Sequence, residues 1–355
     1  MMTQKIEPFR VSNDVLSNPE ELRKRLLEEG YLFLRKFQNE KNLLELRQEM
    51  VEALNSKSDW FKKGTMLSEA IVDPKKACTE GDSSYTKIYQ EIQKLENFHV
   101  AGHCPDVISL LSSILNDKVF VHPMKIARLW FPQFTQHTTP FHQDFVHFQS
   151  NLEVITVWTP VGDCPIELGP LAVAEGSHLV GKVVDHHYSL GAGGLKVNDP
   201  AGRGILRCND FEVGDTLIFG CLMVHGALPN LTEDRLRISL DNRYQKQGLP
   251  VSEKQLTPHL CEEELTWDKV YKGWKGNEHL KFYWDNMEFE KLGTDSRFGD
   301  IAFKEVLDQA DEGDADAIYS LEKLVTNATL AGNTSDERTK QALNKLQEIE
   351  AAGKN

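Results

Sequence analysis

Apolar residues recur at helical spacing in the first third of the chain and at strand spacing in the middle. From Ser17, Leu22, Leu26 and Leu27 mark one face of a helix that ends near Gly30, with Ser17 and Glu20 at the spacing of a capping box. Tyr31 to Phe37 reads as a strand, and Leu43, Leu44, Leu46, Met50 and Leu54 place a second helix over Lys41 to Leu54. Pro105 to Leu115 is a third amphipathic stretch. Between them, Asp59 to Ser84 is polar, carries Gly64, Pro74 and Gly81, and reads as a long loop, a candidate lid.

From Val119 the period changes. Val119 to Phe131, Val154 to Val161, Leu171 to Val173, Thr216 to Val224 and Arg237 to Tyr244 are short strand-like runs separated by turn residues. Many short strands without intervening helices predict an α+β chain with a mainly β core, a two-sheet jelly-roll barrel over roughly residues 119 to 246. Trp267, Tyr271, Trp274, Phe282, Tyr283 and Trp284 form an aromatic belt suited to packing on that barrel or to lining its cavity. Residues 300 to 352 are helical in pattern, with a break at Gly332-Asn-Thr-Ser and a helix start at Thr334-Ser-Asp-Glu. The expected organisation is a main domain over residues 1–290 and a C-terminal helical extension over 291–355, a candidate surface for homo-oligomers or a partner.

Forty Lys and Arg against 54 Asp and Glu give a net charge of −14, which opposes binding to nucleic acid or an anionic membrane. The N-terminus lacks the apolar run of a secretory signal, and no membrane-spanning stretch is expected. The six cysteines, Cys78, Cys104, Cys164, Cys208, Cys221 and Cys261, contain no CxxC and fit reduced thiols of a soluble, cytoplasmic protein.

The chemistry concentrates in two places. His142 and Asp144 flank Gln143 in Thr-Thr-Pro-Phe-His-Gln-Asp-Phe, and an extended backbone would point both to one face. A His-x-acid triplet alone means little, since about two are expected by chance in such a chain. The second place is Phe211-Glu-Val-Gly-Asp-Thr-Leu-Ile-Phe-Gly-Cys-Leu-Met-Val-His, a turn and a strand expected to deliver His225 at its far end. Two imidazoles and a carboxylate leave open positions on a metal and suit non-haem Fe(II). Arg235, Arg237 and Ser239 follow, and a guanidinium fork suits bidentate capture of a dicarboxylate.

Thr138 to Tyr244, together with the loop Gly169-Pro-Leu-Ala-Val-Ala-Glu-Gly-Ser-His, resembles the phytanoyl-CoA dioxygenase family of Fe(II)/2-oxoglutarate oxygenases. The helix-strand-helix opening extends the resemblance over most of residues 15 to 246. It implies a cupin-like double-stranded β-helix, with His142, Asp144 and His225 as iron ligands and Gln143 and Trp158 lining the 2-oxoglutarate pocket. Either arginine fits the co-substrate's distal carboxylate: Arg237 forms Arg-x-Ser with Ser239, while Arg235 matches the family's distance from the second histidine. Members often carry a hydroxyl two residues after that histidine, where this chain has Ala227. A halogenase would have replaced Asp144 by a small residue, so hydroxylation is implied, with O2 and 2-oxoglutarate consumed and succinate and CO2 released. The substrate is expected to be a small organic molecule.

Each of these residues has a plainer reading as well. His142 and His225 would serve as hydrogen-bonded core histidines, Arg235 and Arg237 as edge charges, and Asp144 as a turn cap. His137, His147, Lys125 and Arg128 read by default as ordinary surface or strand-face groups, with substrate contact as the sharper alternative. A non-catalytic family member acting as a ligand-binding or interaction protein is the competing function.

Overall fold

The computed structural model describes residues 5–80, 82–189, 191–197, 205–260, 265–330 and 334–352. The first half runs β1 (Ile6–Glu7), α1 (Pro19–Glu28), β2 (Tyr31–Leu34), α2 (Glu40–Asn55), α3 (Ser83–Gln93), α4 (Glu96–Ala101), α5 (Pro105–Leu115), β3 (Val119–Trp130), β4 (His142–Gln143) and α6 (Phe145–Phe148). It continues with β5 (Ile155–Pro160), β6 (Leu171–Ala174), β7 (His187–Tyr188), β8 (Leu195–Lys196), β9 (Leu206–Arg207), β10 (Thr216–Gly220), β11 (Val224–Ala227) and β12 (Arg237–Lys246). The C-terminal part holds β13 (Val251–Ser252), α7 (Trp267–Val270), β14 (Lys291–Leu292), α8 (Arg297–Asp311), α9 (Ala315–Leu330) and α10 (Glu337–Ala352).

Two five-stranded sheets form the β core, in the orders β1-β9-β6-β11-β4 and β2-β10-β5-β12-β3. All their pairings are antiparallel except β1 with β9. The sheets pack face to face through Phe33, Trp158, Leu217 and Phe219 on one and Leu171 and Val173 on the other. The β core therefore recruits Ile6–Glu7 and Tyr31–Leu34, far upstream of the expected start near residue 119.

The outer face of the β2-β10-β5-β12-β3 sheet is covered by helices. Ala127, Leu129, Ile238 and Leu240 pack under Leu43, Leu46, Met50 and Leu54 of α2 and Tyr85, Tyr89 and Ile92 of α3. Val121, Val157 and Ile218 pack under Leu22 of α1 and Val107, Leu110 and Leu111 of α5. Each such side chain contributes roughly 1.5–3 kcal/mol when fully withdrawn from water. This covering inverts the usual amphipathy of β12: its apolar even positions face out toward helices, and Arg237, Ser239, Asp241, Arg243 and Gln245 all face the interior. A buried polar stripe of that kind needs partners, and it finds them in the site.

Several local expectations shift. Helix α1 is capped by Asn18, whose side chain accepts from the Glu21 amide, so the cap lies one residue beyond Ser17. The segment 59–82 is anchored: Trp60, Ala70 and Val72 join the core, and Ile71 bridges to Arg235. Gly81 lies outside the described residues, as do Cys261 and the Gly332–Asn333 break. The aromatic belt packs on Phe120 and Val251. Glu96–Leu115 has the length and composition of a membrane span, contrary to the expectation of none, but a break at Gly102–Cys104 divides it into α4 and α5. The five described cysteines are free thiols.

Lys125 faces outward yet is 1% exposed, donating to the His122 carbonyl oxygen with no carboxylate in ion-pair range among the described residues. Burial lowers its pKa from the ordinary 10.5 to about 7. Below pH 7 the folded chain holds a buried ammonium, and stability rises as pH climbs toward 10.5, because the unfolded chain then binds the extra proton. Lys125→Met is expected to raise stability by on the order of 2 kcal/mol at pH 6, with the gain shrinking above pH 9. Urea unfolding at both pH values checks this; an unchanged or lower midpoint at pH 6 would refute it.

Candidate metal and co-substrate site

His142 and His225 are direct cross-strand partners in β4 and β11. Gly226 makes this approach possible, since a Cβ there would stand 3.0 Å from the Phe141 Cα. His225 does not ride the end of β10, as the sequence suggested: the chain turns at Cys221–Met223 and crosses into the other sheet before reaching it. Asp144 is not extended either; its backbone is helical (φ −59, ψ −30) and it opens α6.

The three side chains nevertheless converge. Asp144 Oδ1 lies 3.5 Å from His142 Nε2 and 3.6 Å from His225 Nε2, and one ligand atom from each residue falls within 4.8 Å of the others. His142 Nδ1 sits 2.7 Å from the Pro140 carbonyl oxygen and His225 Nδ1 2.9 Å from that of Met223. A carbonyl only accepts, so each Nδ1 carries a proton, and each Nε2 is the ring atom turned toward Asp144. Burial lowers the His225 pKa to about 4, keeping it neutral at physiological pH.

The carboxylate is held from behind. Thr156 Oγ1 donates to Asp144 Oδ2 at 2.5 Å, and Arg243 Nη2 donates to both oxygens at 3.0–3.1 Å. Burial pushes the Asp144 carboxyl up, but Arg243, His225 and His142 outweigh it and hold it well below the usual carboxylate range. Oδ2 is thus committed to protein donors while Oδ1 faces the two imidazoles. This donor set fits a divalent metal bound through one carboxylate oxygen.

Arg237, Trp158, Thr139, Arg128 and Asp241 line the same small cavity, whose free volume is about 20 Å3, the scale of one ion or water. Arg237 is 1% exposed, donates to Ser239 Oγ at 2.5 Å, and stands 5.2 and 5.8 Å from the rings of Trp130 and Trp158. Its Nε has no hydrogen-bond partner, and no carboxylate among the described residues pairs with it. Burial lowers its pKa to about 10. The Trp130 Nε1 beside it is also unpartnered. Buried donors left over in this way fit an oxygen-rich anion.

The remaining candidates sort by strand parity. Arg235 precedes β12, is half-buried, and lies outside the cavity lining. Gln143 requires a correction: facing away from the triad, it spends its amide on the carbonyls of Lys182 and Leu222 and on the Val184 N–H, so it does not line the cavity. Where Ala227 withholds a hydroxyl, Thr139 supplies one to the cavity wall. Arg128 is no surface charge; it faces the interior between Glu80 (2.5 Å) and Asp241 (3.1 Å). His137 stacks on Phe134 and is buried, and His147 packs on His142 and is half-buried. Arg243 and Thr156 escaped the sequence reading, although Arg243 continues the alternation of Arg237, Ser239 and Asp241.

The family model of phytanoyl-CoA dioxygenase matches residues 26–239, more than half of the chain, so the protein belongs to the phytanoyl-CoA dioxygenase family of Fe(II)/2-oxoglutarate-dependent oxygenases. Among characterised relatives, the 1-deoxypentalenic acid 11-beta-hydroxylases of Streptomyces arenae and Streptomyces exfoliatus are 24% and 25% identical over 270 residues, covering 72% of this chain and 92% of theirs. Among solved structures, the nogalamycin-biosynthesis epimerase SnoN, in complex with Fe3+, alpha ketoglutarate and nogalamycin RO, aligns with TM-score 0.45 at 18% identity, over 65% of this chain and 85% of that one. The carbocyclase SnoK from the same pathway aligns with TM-score 0.46 at 17% identity, over 68% and 88%.

Proposed function

We propose that this chain is an Fe(II)- and 2-oxoglutarate-dependent hydroxylase that oxidises an unactivated C–H bond of a small organic molecule in the cytoplasm, on a double-stranded β-helix within residues 1–290. The observation that carries this reading is the pairing, in one cavity, of an open-faced His142–Asp144–His225 cluster with the unpaired guanidinium of Arg237. A metal-binding relative without turnover would have no use for a buried cation aimed at the same space.

In this reading His142 Nε2, His225 Nε2 and Asp144 Oδ1 hold iron, and Thr156 and Arg243 fix the carboxylate in its single-oxygen orientation. Arg237, supported by Ser239, takes the distal carboxylate of 2-oxoglutarate, with Trp158 shaping the pocket wall. Bound iron would supply oxygen activation coupled to decarboxylation, so that R–H, O2 and 2-oxoglutarate become R–OH, succinate and CO2. The apolar flank of Leu171 and Phe219 keeps bulk water from the reacting groups.

The test is succinate formation by purified protein. Product should appear only with Fe(II), 2-oxoglutarate and O2 together, and should accelerate with an accepted substrate. Normal folding with no Fe(II) affinity would refute the reading and favour an interaction protein.

A further inference from the structure

A second chamber of about 410 Å3 adjoins the triad's cavity, with Thr139 lining both spaces. Its floor includes Phe141 and Ala227, one and two residues from His142 and His225. Its far wall is not part of the β core. Asp316, Tyr319 and Ser320, at i, i+3 and i+4 on α9, supply it from the C-terminal extension, outside the family-matched residues.

The extension is docked in a way that fixes this wall. Phe298 and Ala302 of α8 pack on Val146, two residues past Asp144, and on Leu195. Phe303 meets Tyr188 edge-on at 6.1 Å. Gln149 and Asp295 exchange two hydrogen bonds, Gln149 Nε2 to the Asp295 carbonyl at 3.0 Å and the Asp295 amide to Gln149 Oε1 at 2.6 Å. Within the extension, Phe303, Val306, Leu321 and Ala342 pack on one another and hold α8, α9 and α10 together.

The geometry points to this chamber as the substrate site, with α9 as its specificity wall and a compact, oxygenated, phosphate-free molecule as its occupant; the inference rests on the hydroxylase reading above. Thr138 and Ser189 line it with hydroxyls that suit a ligand's oxygen groups, Tyr319 adds a ring, and Phe141 and Ala227 offer an apolar bed near the triad. Among the described residues its lining carries one cation, Lys196, and one carboxylate, Asp316. That balance does not suit the clustered phosphates of a coenzyme A thioester, and a chain of net charge −14 adds no attraction for one.

The experiment begins with anaerobic calorimetry of Fe(II) and 2-oxoglutarate on the full chain; failure there defeats the underlying hydroxylase reading and leaves the chamber's role unsupported. Succinate formation is then followed with three probe sets: compact cyclic alcohols, ketones and lactones; compact carboxylic acids including 1-deoxypentalenic acid; and acyl-CoA thioesters. Stimulation by either of the first two sets and not by the third is expected. Stimulation by thioesters alone, or by nothing in a chain that binds metal and co-substrate, overturns the substrate class.

With a stimulating compound, Asp316→Trp, which fills the chamber from an exposed helical position, should raise KM roughly tenfold or more. Glu322→Trp, equally bulky on the same helix but outside the chamber, should leave KM unchanged. If Asp316→Trp melts early, Tyr319→Ala takes its place and must also shift KM. Equal effects of both tryptophans, or no effect of either chamber variant, overturn the wall.

Discussion

Asp144→Ala is expected to abolish turnover and to weaken metal affinity by more than the roughly 10–100-fold typical of losing an outer contact. Two imidazoles alone would remain. The loss also leaves Arg243 buried without its bidentate partner, at 2% side-chain exposure, so folding stability should fall by about 3 kcal/mol. Arg243→Met separates the two effects. It removes the unmatched charge and keeps Asp144, whose Oδ2 retains Thr156, so metal affinity should fall only about 10–100-fold. Isothermal titration with Co(II) or anaerobic Fe(II), beside urea unfolding, reads both quantities. Equal metal affinity in Asp144→Ala and the parent chain would remove Asp144 from the ligand set.

Much of this site was legible because its chemistry is encoded by types and order: His142 and Asp144 two apart, His225 on a distant strand, and Arg237 with Ser239 beyond it. What was not legible was the path between them. The apolar run from Thr216 to Val224 reads as one strand because a single Gly220 inside it is a weak break; the chain turns there, with the Met223 amide donating to the Gly220 carbonyl at 2.9 Å, as it changes sheets. Asp144 shares a face with His142, but a helical start and not the expected extended backbone brings it round.

The inward stripe of β12 was half read. Alternation from Arg237 through Arg243 is plain in the sequence, but polar residues on a strand ordinarily face water. Only the helices stacked on Ile238 and Leu240 reverse that rule, and helix-on-sheet packing is a long-range fact. The same limit applies to the C-terminal helices, whose apolar spacing calls for a partner without naming Val146 and Leu195 as that partner.

Arg237→Leu is expected to separate stability from function. In the folded chain the guanidinium is 1% exposed, makes one side-chain hydrogen bond, and has its pKa lowered to about 10 by burial, so holding it there costs stability. Replacing it by a leucine between Trp130 and Trp158 should raise the unfolding midpoint or leave it unchanged. The same change removes the bidentate partner of a dicarboxylate, and truncating one side of a buried charge pair costs roughly 2–5 kcal/mol, about 30-fold to several thousandfold in affinity for 2-oxoglutarate. Arg237→Lys keeps the charge and loses the fork, so it should fall between the two. Arg235→Leu, half-buried outside the cavity, should leave 2-oxoglutarate affinity within about twofold. Calorimetric titration of 2-oxoglutarate into the metal-loaded variants orders them. A loss at Arg235 with none at Arg237 would transfer the anchor to Arg235, whereas parental affinity in both would mean the buried guanidinium serves something other than the co-substrate.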